Sequence, residues 1–262
     1  MTTSQRLLRR VRGTAWWQEL GVVALLYAGY DLIRGFIAGS TGRAERDGAG
    51  ILHLEQVLHL DPEHWLNDNL SRLSALAVPA CYFYATLHFI VTPAVLIWLF
   101  HRRPAAYRPA RTVLVFVTGI SLIGFWQFPT APPRLLTGAG FHDTLAIFSG
   151  WGWWGSDPAV PAGAAAIANQ YAAMPSLHLA WALWCGVTVY RQAGLRWLRL
   201  AAIGYPVLTA AVIIGTANHY LLDVLVAAAL WAITDVAVGR LRPARQDRAA
   251  AITASSTSRP SD

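Results

Sequence analysis

The chain contains no lysine: all 21 of its basic residues are arginine. An arginine-only cationic set reads most simply as base-composition bias in the gene. Charge of either sign is scarce, at 13% of 262 residues, against about 25% in an ordinary soluble domain. With 55% apolar residues and a mean hydropathy of +0.39, this excludes a disordered chain and argues against a water-soluble globule. Only two cysteines occur, Cys81 and Cys185. Both sit inside apolar runs without metal-type spacing, which excludes a disulfide scaffold or a redox pair and leaves two small hydrophobes. Two further features are missing: an internal repeat of transporter type, and a small-residue cleavage site after the first apolar run, so no cleaved leader is expected.

What is present is apolar sequence in long runs, with 12 tryptophans. Indole favours the membrane–water interface, and a span needs about 20 mostly apolar residues. Six candidate spans follow, at roughly 16–38, 74–100, 111–128, 173–190, 198–215 and 219–238. The first carries Asp31 and Arg34. The expected fold is therefore an all-α polytopic membrane bundle of about six helices. It runs over residues 16–240, after a basic tail at 1–15 and before an Ala/Ser/Thr/Arg-rich tail at 241–262 that is expected to be disordered.

A net charge of +7 raises nucleic acid as a partner. The arginines, however, are clustered between the apolar runs. Sixteen of the 21 fall in alternate connections: the N-terminal tail, the segment HRRPAAYRPAR, the connection holding Arg191, Arg196 and Arg199, and the C-terminal tail. By the positive-inside rule both termini are expected in the cytoplasm, and 39–73, 129–172 and 216–218 face outward. Within 51–60, Ile51, Leu54, Leu58 and Val57 share a helical face, so an amphipathic helix lying on the membrane surface is expected. A second short helix should start at Asp61-Pro62. The Gly/Pro/Trp-rich segment 129–172 reads as an ordered, membrane-facing lid.

Three polar clusters fall at the expected outer face. Arg134, in FPTAPPRLL, follows two prolines that fix its backbone, and a held guanidinium suits a phosphate. Ser176 and His178, in MPSLHLAW, are expected in the first turn of the fourth span, opened by Pro175. A helix amino terminus binds anions, and His178 is placed to protonate a leaving oxygen. His219 and Asp223, in HYLLD, are four residues apart on one helical face. A carboxylate there fixes the tautomer of an imidazole and supports positive charge on it, as a nucleophile requires. The bland readings are an interfacial arginine, a capping serine and a structural His–Asp pair. A metal site of two histidines and a carboxylate uses the same residue types, although Arg134 would repel a divalent cation. A transporter's proton relay would put polar residues near the middle of several spans.

APPR, MPSLH and HYLLD, in that order, resemble the type 2 phosphatidic acid phosphatase superfamily. They are most similar to the branch that includes inositol phosphorylceramide synthases, often called inositolphosphotransferase-like. The resemblance covers the chain from the 51–70 region to about residue 238. It implies that Arg134 binds phosphate with Ser176, that His178 is the general acid, that His219 forms a phosphohistidine and that Asp223 orients it. It implies no metal and no cofactor. The superfamily pattern K-x6-R-P, P-S-G-H, S-R-x5-H-x3-D is altered at Gln127, Leu135, Leu177 and Ile213. Asn218, Gln170 and Tyr171 are candidates to compensate. The expected function is transfer or hydrolysis of a lipid phosphoester at the outer face of the cell membrane. The donor would be a phospholipid, a lipid phosphate or a prenyl diphosphate, and the acceptor water, an alcohol or a polyol. The alternative is a transporter or lipid-binding protein on the same scaffold.

Overall fold

The computed structural model describes residues 41–154 and 171–240 in full, isolated positions before residue 41, and the backbone alone of 241–257. Most of the expected first span and Gln170 lie outside the described residues. The helices are α1 (Thr41–Val57), α2 (Glu63–Arg72), α3 (Ser74–Tyr82), α4 (His88–Arg102), α5 (Pro104–Gln127), the short α6 (Thr144–Ile147), α7 (Leu177–Gln192), α8 (Arg196–Gly215) and α9 (Leu221–Thr257). A π-helical turn, Phe83–Leu87, joins α3 to α4 in one 29-residue rod. Among the described residues this rod, α5, α8 and Leu221–Arg240 of α9 are long and apolar enough to cross a membrane. The fold is thus an all-α membrane bundle.

The Arg-rich connection expected at 101–111 shrinks to one residue, Arg103. Pro104 takes the first position of α5, where a missing N–H costs nothing, so the helix starts well before residue 111. At its far end α9 continues as helical backbone to Thr257, so no helix ends at the boundary expected near 241.

The expected span at 173–190 becomes a helix of only 16 residues, about 24 Å long. It is the axis of the bundle rather than a lipid-facing rod. Leu179, Ala180, Trp184 and Cys185 bury against Val95, Leu99, Val113, Val117, Ile213 and Val224 from four neighbouring helices. Small residues set the closest approach: a Cβ on Gly186 would run into the Ala202 carbonyl oxygen of α8. The indole N–H groups of Trp181 and Trp184 donate to Thr118 Oγ1 (3.0 Å) and to the Ala110 carbonyl (2.7 Å). Meanwhile Phe89, Ile97, Phe116, Ile123, Val207 and Ile233 stay exposed, an apolar surface that fits lipid and not water.

The amphipathic helix expected within 51–60 is present; it begins at Thr41 and ends at Val57. Of the expected apolar stripe, Leu54, Val57 and Leu58 are exposed and Ile51 is buried. The buried face is Ala44, Gly48, Ile51, Leu52 and Glu55. An exposed apolar face is what a helix resting on lipid presents. Gly48 lets α1 close on the segment that carries Arg134. A Cβ there would lie 2.5 Å from the Ala131 carbonyl oxygen and 2.8 Å from the Tyr220 hydroxyl. Backbone cannot yield as a side chain end can, so Gly48→Ala is expected to cost about 1–3 kcal/mol. A lowered melting temperature in detergent would show it, and an unchanged one would refute this packing.

The helix expected from Asp61-Pro62 is α2, with Pro62 at its N-cap. Its Asn67 is fully buried and works as a hub. The amide nitrogen shares its two N–H donors among the His142 carbonyl (3.1 Å), Thr144 Oγ1 (3.2 Å) and the Gly215 carbonyl (3.0 Å). The amide oxygen accepts from the His142 N–H at 2.8 Å. One side chain therefore fixes the 142–144 segment to the end of α8. The described part of the expected lid docks on the α3 end through Tyr82. Its hydroxyl donates to the Trp151 carbonyl, and its ring meets Trp154 edge-on at 4.7 Å.

Candidate active site

Three backbone links bring the three sequence clusters to one end of the bundle. Thr130 and Ala172 form a parallel bridge, with Thr130 N–H donating to the Tyr171 carbonyl at 2.8 Å. The Arg134 N–H donates to the Ala217 carbonyl at 3.0 Å, and the Ser176 N–H to the Asp223 carbonyl at 3.3 Å. The clusters meet where α5 and α8 end and where α7 and α9 begin. The arginines at the joints α4–α5 and α7–α8 lie at the other end of those helices.

Helix α8 closes with a hydrogen-bond pattern that places His219. Ala217 adopts a left-handed conformation (φ 55°) and its N–H donates to the Ile214 carbonyl, while the Asn218 N–H donates to the Ile213 carbonyl. This is the reverse turn that commonly ends a helix, here with alanine where glycine is usual. His219 follows in the turn and α9 starts only at Leu221. The expected pairing on a helix face is thus corrected to a pairing across a helix cap. Asp223, the third residue of α9, reaches back to accept from the Tyr220 N–H (3.0 Å) and faces His219 Nδ1 at 3.2 Å. That is half of a capping box, used here to aim a carboxylate.

The tautomer of His219 follows from its partners. Nδ1 lies 2.9 Å from the Ala173 carbonyl and 3.2 Å from the Asp223 carboxylate. Both are acceptors, so Nδ1 carries the proton and Nε2 the lone pair. His219 and Asp223 are buried.

Ser176 is the N-cap of α7, and its Oγ accepts from the Leu179 N–H at 3.4 Å. Pro175 therefore precedes the cap instead of opening the first turn, a correction to the expected start. His178 is the second residue of α7. Its ring lies edge-on to His219 with centroids 5.6 Å apart, stacks on Tyr84 at 4.5 Å and meets His88 at 4.4 Å. Tyr84 comes from the π turn and His88 directly follows it. Such turns recur at functional sites, but nothing in the sequence marks this one, and both residues were missed.

Arg134 is held at two points. Its Nε donates to Asn218 Oδ1 at 2.9 Å and its Nη1 to Asp143 Oδ2 at 2.9 Å. Asn218 is fixed in turn by Thr216, whose Oγ1 accepts from the Asn218 amide at 2.9 Å. Asp143 is fixed by capping α6, where Oδ1 accepts from the Ala146 N–H at 3.0 Å. Asn218 thus positions the arginine. Tyr171 instead packs against Leu122 and Phe125 of α5. At Gln127, where the superfamily pattern has lysine, the backbone carbonyl accepts from Arg43 Nη2 at 2.6 Å.

The sequence reading also missed two acids, Glu55 and Glu63. Both are fully buried and accept from the first amides of α9: Leu221 N–H to Glu63 Oε1 and Leu222 N–H to Glu55 Oε1, each at 2.6 Å. Burial pushes the Glu55 carboxyl from its ordinary 4.5 up to about 8, and raises that of Glu63 as well. Among the described residues no cluster of three or more His, Cys, Asp or Glu side chains is arranged to hold a metal ion.

A lipid-length bundle that gathers a guanidinium, a helix amino terminus and a buried histidine–carboxylate pair at one end has the make-up of a membrane enzyme for an anionic group. A family model described as the PAP2 superfamily matches residues 49–237, and the chain belongs to that superfamily of type 2 phosphatidic acid phosphatases. At that level it is a phosphatase-type enzyme that acts on lipid phosphates in membranes. Comparison with curated proteins and with solved structures gives no match.

Proposed function

We propose that this enzyme transfers or hydrolyses a lipid phosphoester through a phosphohistidine on His219, as a member of the inositolphosphotransferase-like branch. The observation that carries this reading is the pair of acceptors facing His219 Nδ1, the Ala173 carbonyl and Asp223, which assigns the proton to Nδ1 and the lone pair to Nε2, on a ring edge-on to His178. In the first step Nε2 attacks phosphorus and the bond from phosphorus to the leaving oxygen breaks. His178 gives its proton to that oxygen. Arg134 and the start of α7 offset the charge on the non-bridging oxygens. Asp223 offsets the positive charge that develops on the His219 ring. In the second step the oxygen of water or an alcohol attacks phosphorus, returns a proton to His178 and displaces the His219 nitrogen.

Transfer to an alcohol is favoured by position 213, where the phosphatase pattern has arginine and this chain has the buried Ile213. Neither step calls on a metal. The clustering of arginines at the end opposite the site supports an outward-facing site with both termini in the cytoplasm.

The test uses purified protein in lipid nanodiscs with radiolabelled phosphatidic acid, phosphatidylinositol or a polyprenyl diphosphate. Free phosphate and new phospholipids are followed together, with and without inositol. Label on the protein that is acid-labile and base-stable is expected during turnover; its absence under rapid quench would overturn the covalent route. A new lipid that requires the added alcohol identifies a transferase, and phosphate alone identifies a phosphatase. Arg134→Lys is expected to lower kcat/KM by about 10²-fold, because an ammonium cannot bridge Asn218 and Asp143 and still present a planar fork to phosphate. Unchanged kcat/KM in that variant would remove Arg134 from the phosphate site.

A further inference from the structure

We propose that Glu55 and Glu63 form a carboxyl pair sharing one proton, and that this pair positions the nucleophile by capping the helix next to His219. The consequence for turnover rests on the reading of His219 given above; the pair itself does not.

A helix start leaves its first amides without partners. At α9 three of these amides are met by three carboxyl groups: Asp223 takes Tyr220, Glu63 takes Leu221 and Glu55 takes Leu222. An ordinary cap comes from the adjoining residue. Here two of the caps come from 158 and 167 residues away, so α1 and α2 are clamped onto the turn that holds His219. Displacing either acid would free the start of α9, and with it the turn carrying His219 and the Asp223 carboxylate.

Three adjacent buried carboxylates cannot all stay ionised, because burial removes solvent and, among the described residues, no cation faces the pair. Among the described residues, the titratable groups facing the pair are Asp61, Tyr220 and Asp223, all of them acids. Tyr220 is neutral, its hydroxyl held up by burial and donating to the Ala131 carbonyl. The two glutamate side chains contact one another. Glu55 Oε2 and Glu63 Oε2 are both buried and meet no N–H or O–H donor. Carboxylates only accept, so such a contact is repulsive until one of them is protonated. A single proton then turns it into a hydrogen bond between the two outer oxygens, while both inner oxygens go on capping α9.

The sign of the pH dependence follows. The folded protein holds a proton on Glu55 up to about pH 8, whereas an unfolded chain releases it near 4.5. Folding therefore takes up a proton in that window, and this contribution to stability is full below 4.5 and is lost as pH rises through about 8. Above it, a second charge beside Asp223 loosens the cap and turnover falls.

The test compares wild type, Glu55→Gln and Glu55→Ala in nanodiscs, by thermal melting and by kcat and KM across pH 4.5 to 9. Glutamine keeps the acceptor for Leu222 and replaces the shared proton with a permanent N–H donor to Glu63. Glu55→Ala is expected to lower kcat by about 10–10²-fold with little change in KM, the scale of a misplaced reacting group. Glu55→Gln should recover most of that loss and flatten the alkaline fall in melting temperature. A carboxylic-acid infrared band, present at neutral pH in wild type and missing in Glu55→Gln, should accompany it. An alkaline fall that persists in Glu55→Gln, or wild-type kcat in Glu55→Ala, overturns the proposal. Should His219→Ala retain turnover, the nucleophile assignment fails alone, and the melting and infrared comparison still decides the pair.

Discussion

His219→Ala is expected to abolish turnover, with a loss on the order of 10⁴-fold or more, while the protein stays folded. The size of the loss follows from the role: without the imidazole there is no covalent route, and what remains is binding and charge stabilisation. Folding survives because the side chain contributes little beyond its own bonds. The turn that ends α8 is made by backbone groups, with the Ala217 and Asn218 N–H groups donating to Ile214 and Ile213. Asp223 keeps the Tyr220 N–H after the ring is gone. The Ala173 carbonyl loses a donor, a cost of about 1–3 kcal/mol if no water replaces it. Phosphate release and lipid exchange measured beside a melting curve separate the two effects. A folded variant with wild-type turnover would eliminate His219 as nucleophile. Absence of turnover by the wild-type protein with every donor would favour a transporter or lipid-binding role, for which a nucleophilic ring is not needed.

Much of this site is legible along the chain, because its chemistry lies in short runs. APPR, MPSLH and HYLLD each keep their polar residues next to a helix end, and helices of span length bring those ends to one side. What sequence spacing misjudges is the geometry at the ends. His219 and Asp223 look like a pair on one helical face, yet the reverse turn at Ala217 leaves His219 outside the helix, and the pairing is made through the cap. In ILHLEQVLHL, the leucine stripe marks an amphipathic helix, and Leu54, Val57 and Leu58 are exposed. The stripe does not show that Glu55 is buried, with its partner Leu222 lying 167 residues on. No local signal encodes such a contact. Nor does FYATLH announce a π turn, so Tyr84 and His88 gain a place beside His178 only once the helices are packed. Asp143 is invisible for a related reason: it reaches Arg134 because Asn67, on another helix, fixes the 142–144 segment.

Asp223→Asn provides the sharper test, because two roles of a carboxylate are separable in this site. Where a carboxylate alone sets the tautomer of a catalytic histidine, its amide variant loses about 10⁴-fold, since the ring then presents the wrong nitrogen. Here the Ala173 carbonyl also accepts from Nδ1, at 2.9 Å against 3.2 Å for Asp223. The Nδ1 proton therefore stays in place, and Nε2 remains the nucleophile in the variant. What disappears is the negative charge facing the ring as phosphorus binds it, a loss comparable to removing one fixed stabilising group, about 10²–10³-fold in kcat. KM should change little, because the proposed mechanism binds the phosphate elsewhere, at Arg134 and the start of α7. Stability should also fall modestly. Asp223 Oδ1 is buried and meets no donor, and an amide nitrogen put there is taken out of water. A loss as large as that of His219→Ala would mean that the carbonyl cannot hold the tautomer by itself. A loss below about 10-fold would mean that the ring carries no charge needing Asp223 in the transition state, and the phosphohistidine route would lose its main electrostatic support.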